Sequence, residues 1–277
     1  MSSRVNHQGP SFLYDETFKQ AIKGATLGAG IVTAVAPLLY FKNMKQTKQP
    51  IVLRHCYRGA PLMALNVVPQ TAITLGANSL IKKQFFHKKD GEDISTNEKL
   101  MAATAAGAVA GIASAPCEFV VQNYQNKWRN SMTQVVRSAF MEKGPAVFMR
   151  GASFLALREG IYAPGYLVLA KIFSDMFKPH IKNEYAADGA GAFAAGAIVG
   201  AVTSPPDILR ANKQWMTRNW SAKDTQKNLA QEVMEMGVKS KNKAVVIAMM
   251  SGATVRIAAV SVANFIMVVA TKDEKDR

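Results

Sequence analysis

The sequence predicts an all-α fold: a six-transmembrane-helix bundle with threefold pseudo-symmetry, made of three tandem two-helix repeats. Three observations predict it. First, a phrase that opens on proline and closes on glutamine nine residues later occurs three times: PLLYFKNMKQ (37–46), PCEFVVQNYQ (116–125) and PPDILRANKQ (205–214). Second, a glycine precedes each of those prolines by nine residues, at Gly28, Gly107 and Gly196. Third, residues 24–41, 59–81, 100–117 and 189–206 contain no Asp, Glu, Lys or Arg. A stretch of about 20 apolar residues is what a helix needs to cross the hydrocarbon core. An internal repeat at this spacing marks related modules of roughly 80 to 100 residues.

The odd-numbered helices are three of those charge-free stretches: 24–41, 100–117 and 189–206. Glycine and alanine dominate them, as in GAVAGIAS (107–114) and GAGAFAAGAIVGAV (189–202). Small residues let membrane helices approach closely, whereas the same composition makes a poor soluble helix. A soluble α-solenoid is therefore the weaker alternative. The even-numbered helices are 59–81 and two apolar regions, 149–177 and 244–271, interrupted by Arg158 with Glu159 and by Arg256. The repeats span about 17–88, 96–178 and 184–272 of a single membrane domain, 1–277, with a flexible N-terminal segment at 1–14.

A net charge of +15 lies mainly in connecting segments such as KKQFFHKK (82–89), NKWR (126–129) and KSKNK (239–243). Such clusters suit anionic lipid headgroups and topology bias, and they give anionic solutes an attractive field. No aromatic residues interleave them in a nucleic-acid-binding motif, so no nucleic-acid partner is expected. Cys56 and Cys117 imply no disulfide framework. The histidines at 7, 55, 87 and 180 have no metal spacing, and neither a nucleophile motif nor a phosphate loop is present. Neither enzymatic activity nor a cofactor or metal is expected. The first residues, MSSRVNHQGPSFLYDE, have no apolar signal core.

These motifs resemble the mitochondrial carrier family, over about residues 17–272. Its pattern is P-x-[DE]-x-x-[KR] near the end of each odd helix, with a glutamine four residues beyond the base. An aromatic-Arg-Gly motif opens each even helix; here it reads YRG (57–59), MRG (149–151) and, degraded, MSG (250–252). EKGPAVFMRG (142–151) is similar to the family's matrix segment. The resemblance implies that Pro37, Pro116 and Pro205 kink the odd helices. It also implies a matrix gate of ion pairs between successive repeats. Asp207 would pair with Lys42 and Glu118 with Arg210, while Leu39 and Val121 stand where a third acid and base belong. Losing both partners is tolerated better than losing one, so an apolar Leu39–Val121 contact is expected there. Gln46, Gln125 and Gln214 would brace these positions. Gate pairs bathed by cavity water would each contribute only about 0–1 kcal/mol.

The resemblance further implies one central site, eight residues beyond the Arg-Gly arginine. That position is Asn66 in the first even helix, Arg158 beside Glu159 in the second, and Ala259 in the third, with Arg256 one turn earlier. An ionised residue in mid-membrane is costly and by default functional. Arg158 and Arg256 would hold a carboxylate or phosphate, Glu159 an ammonium, and Asn66 would add hydrogen bonds. The implied function is transport of a small carboxylate-bearing or zwitterionic metabolite by alternating access across the mitochondrial inner membrane, with a peroxisomal, reduced-organelle or host-mitochondrial membrane as the alternative destinations. A nucleotide carrier of the ATP/ADP type is one alternative. A non-transporting insertase, receptor or scaffold is another. The expected partners are the small-molecule substrate and anionic lipids such as cardiolipin, and the expected state is a monomer.

Two departures from the family stand out. Only 21 residues separate Pro37 from Arg58, against 34 and 46 in the other repeats, so a surface helix fits at 131–142 and 224–236 but not in repeat one. The cytoplasmic acid positions read Ser79, Lys171 and Lys272, with Lys82, Ser174 and Lys275 at the base positions. Asp175 and Asp273 lie one residue out of register and are the substitutes to look for. A weak cytoplasmic gate would favour the matrix-closed state and bias transport in one direction.

Overall fold

The structure, a computed structural model, describes residues 11–47, 49–86, 95–215 and 252–272, with side chains from 26 to 266. Helix α1 (Ser11–Gln46) carries Pro37 inside it, and α2 (Ala60–Phe85) follows a short 3₁₀ turn at Leu53–His55. The 3₁₀ turn occupies the place where the other repeats have room for a surface helix. Next come α3 (Thr96–Gln125), with Pro116 inside, and the amphipathic α4 (Met132–Lys143). The second even helix runs as α5 (Ala152–Pro164), a π-helical turn at Gly165–Leu169 and α6 (Ala170–Phe177). The third odd helix breaks at Thr203 into α7 (Glu184–Val202) and α8 (Ser204–Trp215), and α9 (Ala253–Lys272) ends the described chain.

Pro37 and Pro116 each remove one backbone donor inside a continuous helix, whereas the Pro205–Pro206 pair removes two and α7 stops before it. Helix ends are capped where the sequence allows. Ser95 and Glu98 form a reciprocal capping box at the start of α3, and Asn183 accepts from the amides of Tyr185 and Ala186 at the start of α7.

The long helices form a closed ring in which each packs on its chain neighbours and α9 returns to α1. The repeated glycines explain the close crossings. A Cβ on Gly28 would lie 2.7 Å from Val67 Cγ1, one on Gly107 would strike the carbonyl of Glu159, and one on Gly196 would lie 2.7 Å from Ser261 Cα. Each is thus the point where an odd helix crosses the even helix of its own repeat. Beside this ring, α4 buries Val135 and Ala139 against Phe119, Val120 and Val147. Phe119 and Phe148 meet edge to face at 5.5 Å.

Among the described residues, three helices are long and apolar enough to cross a membrane by length and composition: Thr26–Gln46, Thr96–Gln125 and Glu184–Val202. These are the three odd helices. The even helices meet the length requirement less clearly because polar groups such as Gln70, Thr71, Thr74, Arg158, Glu159 and Arg256 interrupt them. Those groups line the interior of the ring. Helix α1 begins at Ser11, inside the segment expected to be flexible. Residues 1–10, the expected surface helix at 224–236, Met250, Ser251, Asp273 and Lys275 lie outside the described residues.

Candidate functional site

Inside the ring is a cavity of about 400 Å³. Leu39, Lys42, Glu118, Arg158, Glu159 and Arg256 line it, with apolar walls from Ile31, Val35 and Val67. Glycine at each Arg-Gly turn, or its equivalent, sets the entry of the even helices. Gly59, Gly151 and Gly252 have φ of 88°, 78° and 77°, a left-handed conformation that side chains resist. Each of these turns lies against a brace glutamine from the next repeat. A Cβ on Gly59, Gly151 or Gly252 would sit 3.5 Å from Cγ of Gln125, Gln214 or Gln46 respectively.

Asp207 is the hub. Its carboxylate is completely buried and takes Lys42 Nζ at 2.8 Å, Arg256 Nη1 at 3.0 Å and Gln46 Nε2 at 2.9 Å on Oδ2. On Oδ1 it takes Arg158 Nη1 at 2.9 Å and Arg210 Nε at 3.2 Å. Glu118 bridges the other side, with Arg158 Nη2 at 3.1 Å and Arg210 Nη1 at 3.0 Å. Arg158 also holds its neighbour Glu159, with Nε at 2.8 Å from Oε1. Arg256 donates twice to Thr203 Oγ1, at 3.0 and 2.8 Å, which ties α9 to the break between α7 and α8.

The structure therefore brings together the residues the resemblance named, Lys42, Asp207, Glu118, Arg210, Arg158, Glu159 and Arg256, but in one cluster. The resemblance treats the gate and the central site as separate layers; here the guanidinium groups of Arg158 and Arg256 rest directly on the gate acids. The expected water-bathed pairs are also absent at the hub, because Lys42 and Asp207 side chains are only 4% and 0% exposed. A buried charge that loses its partner is far costlier than a surface one. Four cations face three carboxylates in this cluster, so it carries an excess positive charge.

The position without an ion pair has its own solution. Leu39 lines the cavity, whereas Val121 is buried beside the Gly59 turn, where a glycine Cβ would be 3.3 Å from Val121 Cγ1. Neutral hydrogen bonds join the two repeats instead. Asn43 Nδ2 donates to Gln125 Oε1 at 2.5 Å, and Thr47 Oγ1 to Asn126 Oδ1 at 2.9 Å. Gln125 Nε2 then donates to the Arg58 carbonyl at 3.0 Å. Gln214 accepts from Arg210 Nη1 at 2.9 Å and donates to the Arg150 carbonyl at 3.3 Å.

Asn43 was not singled out from the sequence. Neither were Asn123 and Asn212, although both stand seven residues after the repeat proline. Asn212 Nδ2 donates to the Gln46 carbonyl at 3.2 Å and Asn123 Nδ2 to that of Gln214 at 3.5 Å. Their matching place in the repeated phrase was the available signal.

Asn66 is 8% exposed but does not line the cavity. The cavity face of α2 is Met63, Val67, Gln70, Thr71 and Thr74, and at 100° per residue Asn66 falls at its flank. Ala259 does line it. At the far end of the second even helix, Asp175 pairs with Lys178 at 2.8 Å on the surface, and Ser174 donates to Asp188 of α7. Asp175 is thus engaged within its own helix end.

No family model matches the chain. It is 26% identical over 215 residues to S-adenosylmethionine carrier 1, chloroplastic/mitochondrial, of Arabidopsis thaliana, covering 76% of this chain. It is 25% identical over 220 residues to a probable S-adenosylmethionine carrier 2, chloroplastic, of the same plant, covering 74%. The chain is thus similar to these carriers over about three quarters of its length. The chain spans 66% and 61% of those relatives' own length, under two thirds in each case.

Proposed function

We propose that this carrier moves a small carboxylate-bearing or zwitterionic metabolite through its central cavity by alternating access. The observation that carries this reading is the shared use of Arg158 and Arg256. Both line the cavity, and both are held by Asp207 in the closed network. A solute carboxylate arriving there competes with Glu118 and Asp207 for the same guanidinium groups. Binding energy that is larger in the open than in the closed state is what a ligand needs to shift such an equilibrium. Glu159, held by Arg158 in the closed network, lines the same cavity and is the group we assign to a solute ammonium once Arg158 turns to the carboxylate. The relatives' printed substrate, an amino acid derivative, is of this class.

The membrane we assign is the mitochondrial inner membrane, with a monomeric protein surrounded by anionic lipid such as cardiolipin. Uptake of S-adenosylmethionine, amino acids, nucleotides and dicarboxylates into proteoliposomes tests the reading. Transport of an amino-acid-bearing solute that is lost in Arg158→Ala supports it. Uptake of nucleotides alone would replace it with the nucleotide alternative. One observation favours a non-transporting role: Asp207 already receives five donors and is completely buried. A protein that transports none of these solutes would fit that locked arrangement.

A further inference from the structure

The charged cluster accounts for one part of the cavity and leaves the lining beyond Arg158 without a role. Tyr162 and Tyr166 line that part. With Arg158 they stand at i, i+4 and i+8, so they lie on one helix face, about 6 and about 12 Å farther along the axis at 1.5 Å per residue. Their rings touch at 5.3 Å with planes inclined by 46°, so no third ring fits between them. The Tyr162 hydroxyl is already engaged, donating to Asn264 Oδ1 at 3.2 Å. The two rings offer the cavity an aromatic surface.

Asn264 supplies the second observation. It is 5% exposed and lines the same cavity, yet its Nδ2 has no hydrogen-bond partner among the described residues. A buried donor without an acceptor is costly to leave unmet. Tyr162 occupies the carbonyl end of the amide, so the free end is a donor. Gln70 and Thr71 of α2 add further polar atoms to the lining.

We infer that this wall is a second subsite that takes a planar nitrogen heterocycle. The ring lies against the Tyr162–Tyr166 surface, and a ring nitrogen or carbonyl accepts from Asn264 Nδ2. The inference rests on the carboxylate reading at Arg158 and narrows it. The solute becomes an amino acid that carries a heteroaromatic base roughly 10 Å from its carboxylate, the distance given by two helical turns or so. A plain amino acid would fill only the charged end of a 400 Å³ cavity.

Thermal stabilisation of the purified full-length protein tests this with two probes, S-adenosylmethionine and methionine. They share the amino acid group, and only the first bears a base. Stacking on an aromatic platform is expected to favour S-adenosylmethionine by about tenfold or more in the half-maximal concentration. That preference should fall to about threefold or less in Asn264→Ala and in Tyr166→Leu, and whichever variant folds suffices. An undiminished preference in both variants would overturn the subsite. So would equal protection by the two probes in the unsubstituted protein, while an Arg158-dependent response to both left the carboxylate site standing. Absence of any response to either probe removes the carboxylate site and the subsite together.

Discussion

Arg158 Nη1 lies 2.9 Å from Asp207 Oδ1, which bonds the residue at the expected substrate position directly to the hub of the gate. The second even helix and the third odd helix are joined through this pair. Glu118 joins them again from α3 through Arg158 and Arg210. On the proposed reading, opening the gate and freeing the site are therefore one event.

Asp207→Asn should be the most damaging single change in the cluster. It removes the negative charge shared by Lys42, Arg158, Arg210 and Arg256, and breaking a buried ion pair from one side costs about 3–5 kcal/mol. Glu118 has a side chain 23% exposed and two cationic partners, so Glu118→Gln should cost distinctly less. Melting temperatures of the two variants, purified in the same detergent, check the order. Equal losses would show that Asp207 is not the hub.

The third gate position can be rebuilt. Leu39→Glu alone and Val121→Lys alone each place an unmatched charge in the bundle, and each should lower stability. The double variant should recover part of the loss, with a coupling of about 0.5–3 kcal/mol typical of contacting residues. Strict additivity in a double-mutant cycle would mean that the two positions do not face each other when the gate is closed.

Asn43→Ala tests the neutral substitute for that pair. It leaves Gln125 Oε1 without its donor in a buried site, a loss of about 1–3 kcal/mol. The variant should also respond more readily to ligand, because the closed junction between repeats one and two is weaker. A melting curve that overlays the parent would rule out the bridge.

Gly111→Val tests the close crossing of α3 and α5. A Cβ there would lie 2.7 Å from the Leu155 carbonyl oxygen, a backbone atom that cannot step aside. Overpacking of this kind costs about 1–3 kcal/mol or more. Gly30→Ala is the control, because nothing lies within 4 Å of its Cβ position.

Much of this arrangement was readable from Pro37, Pro116 and Pro205 and from the residues counted from them. A repeated phrase fixes which positions correspond between repeats, and the resemblance to the carrier family supplied the pairing of Lys42 with Asp207. Counting cannot supply rotation or depth. Asn66 occupies the right number in the right helix, yet the face of α2 turned inward is that of Val67 and Gln70. The merging of Arg158 with the gate was also hidden, because a long guanidinium side chain reaches across a layer that residue spacing treats as a boundary. Tyr162, Tyr166 and Asn264 carry no family motif, and only their shared wall reveals them.

The seating of Gly59, Gly151 and Gly252 on Gln125, Gln214 and Gln46 has a mechanical consequence. Every even helix starts on a ledge supplied by the following odd helix, and the sequence of ledges runs full circle. On the proposed alternating-access reading, tilting any one odd helix would push the foot of its neighbour and pass the tilt onward. The three repeats would then move as meshed gears, and a solute that dislodged a single tooth would turn the whole train.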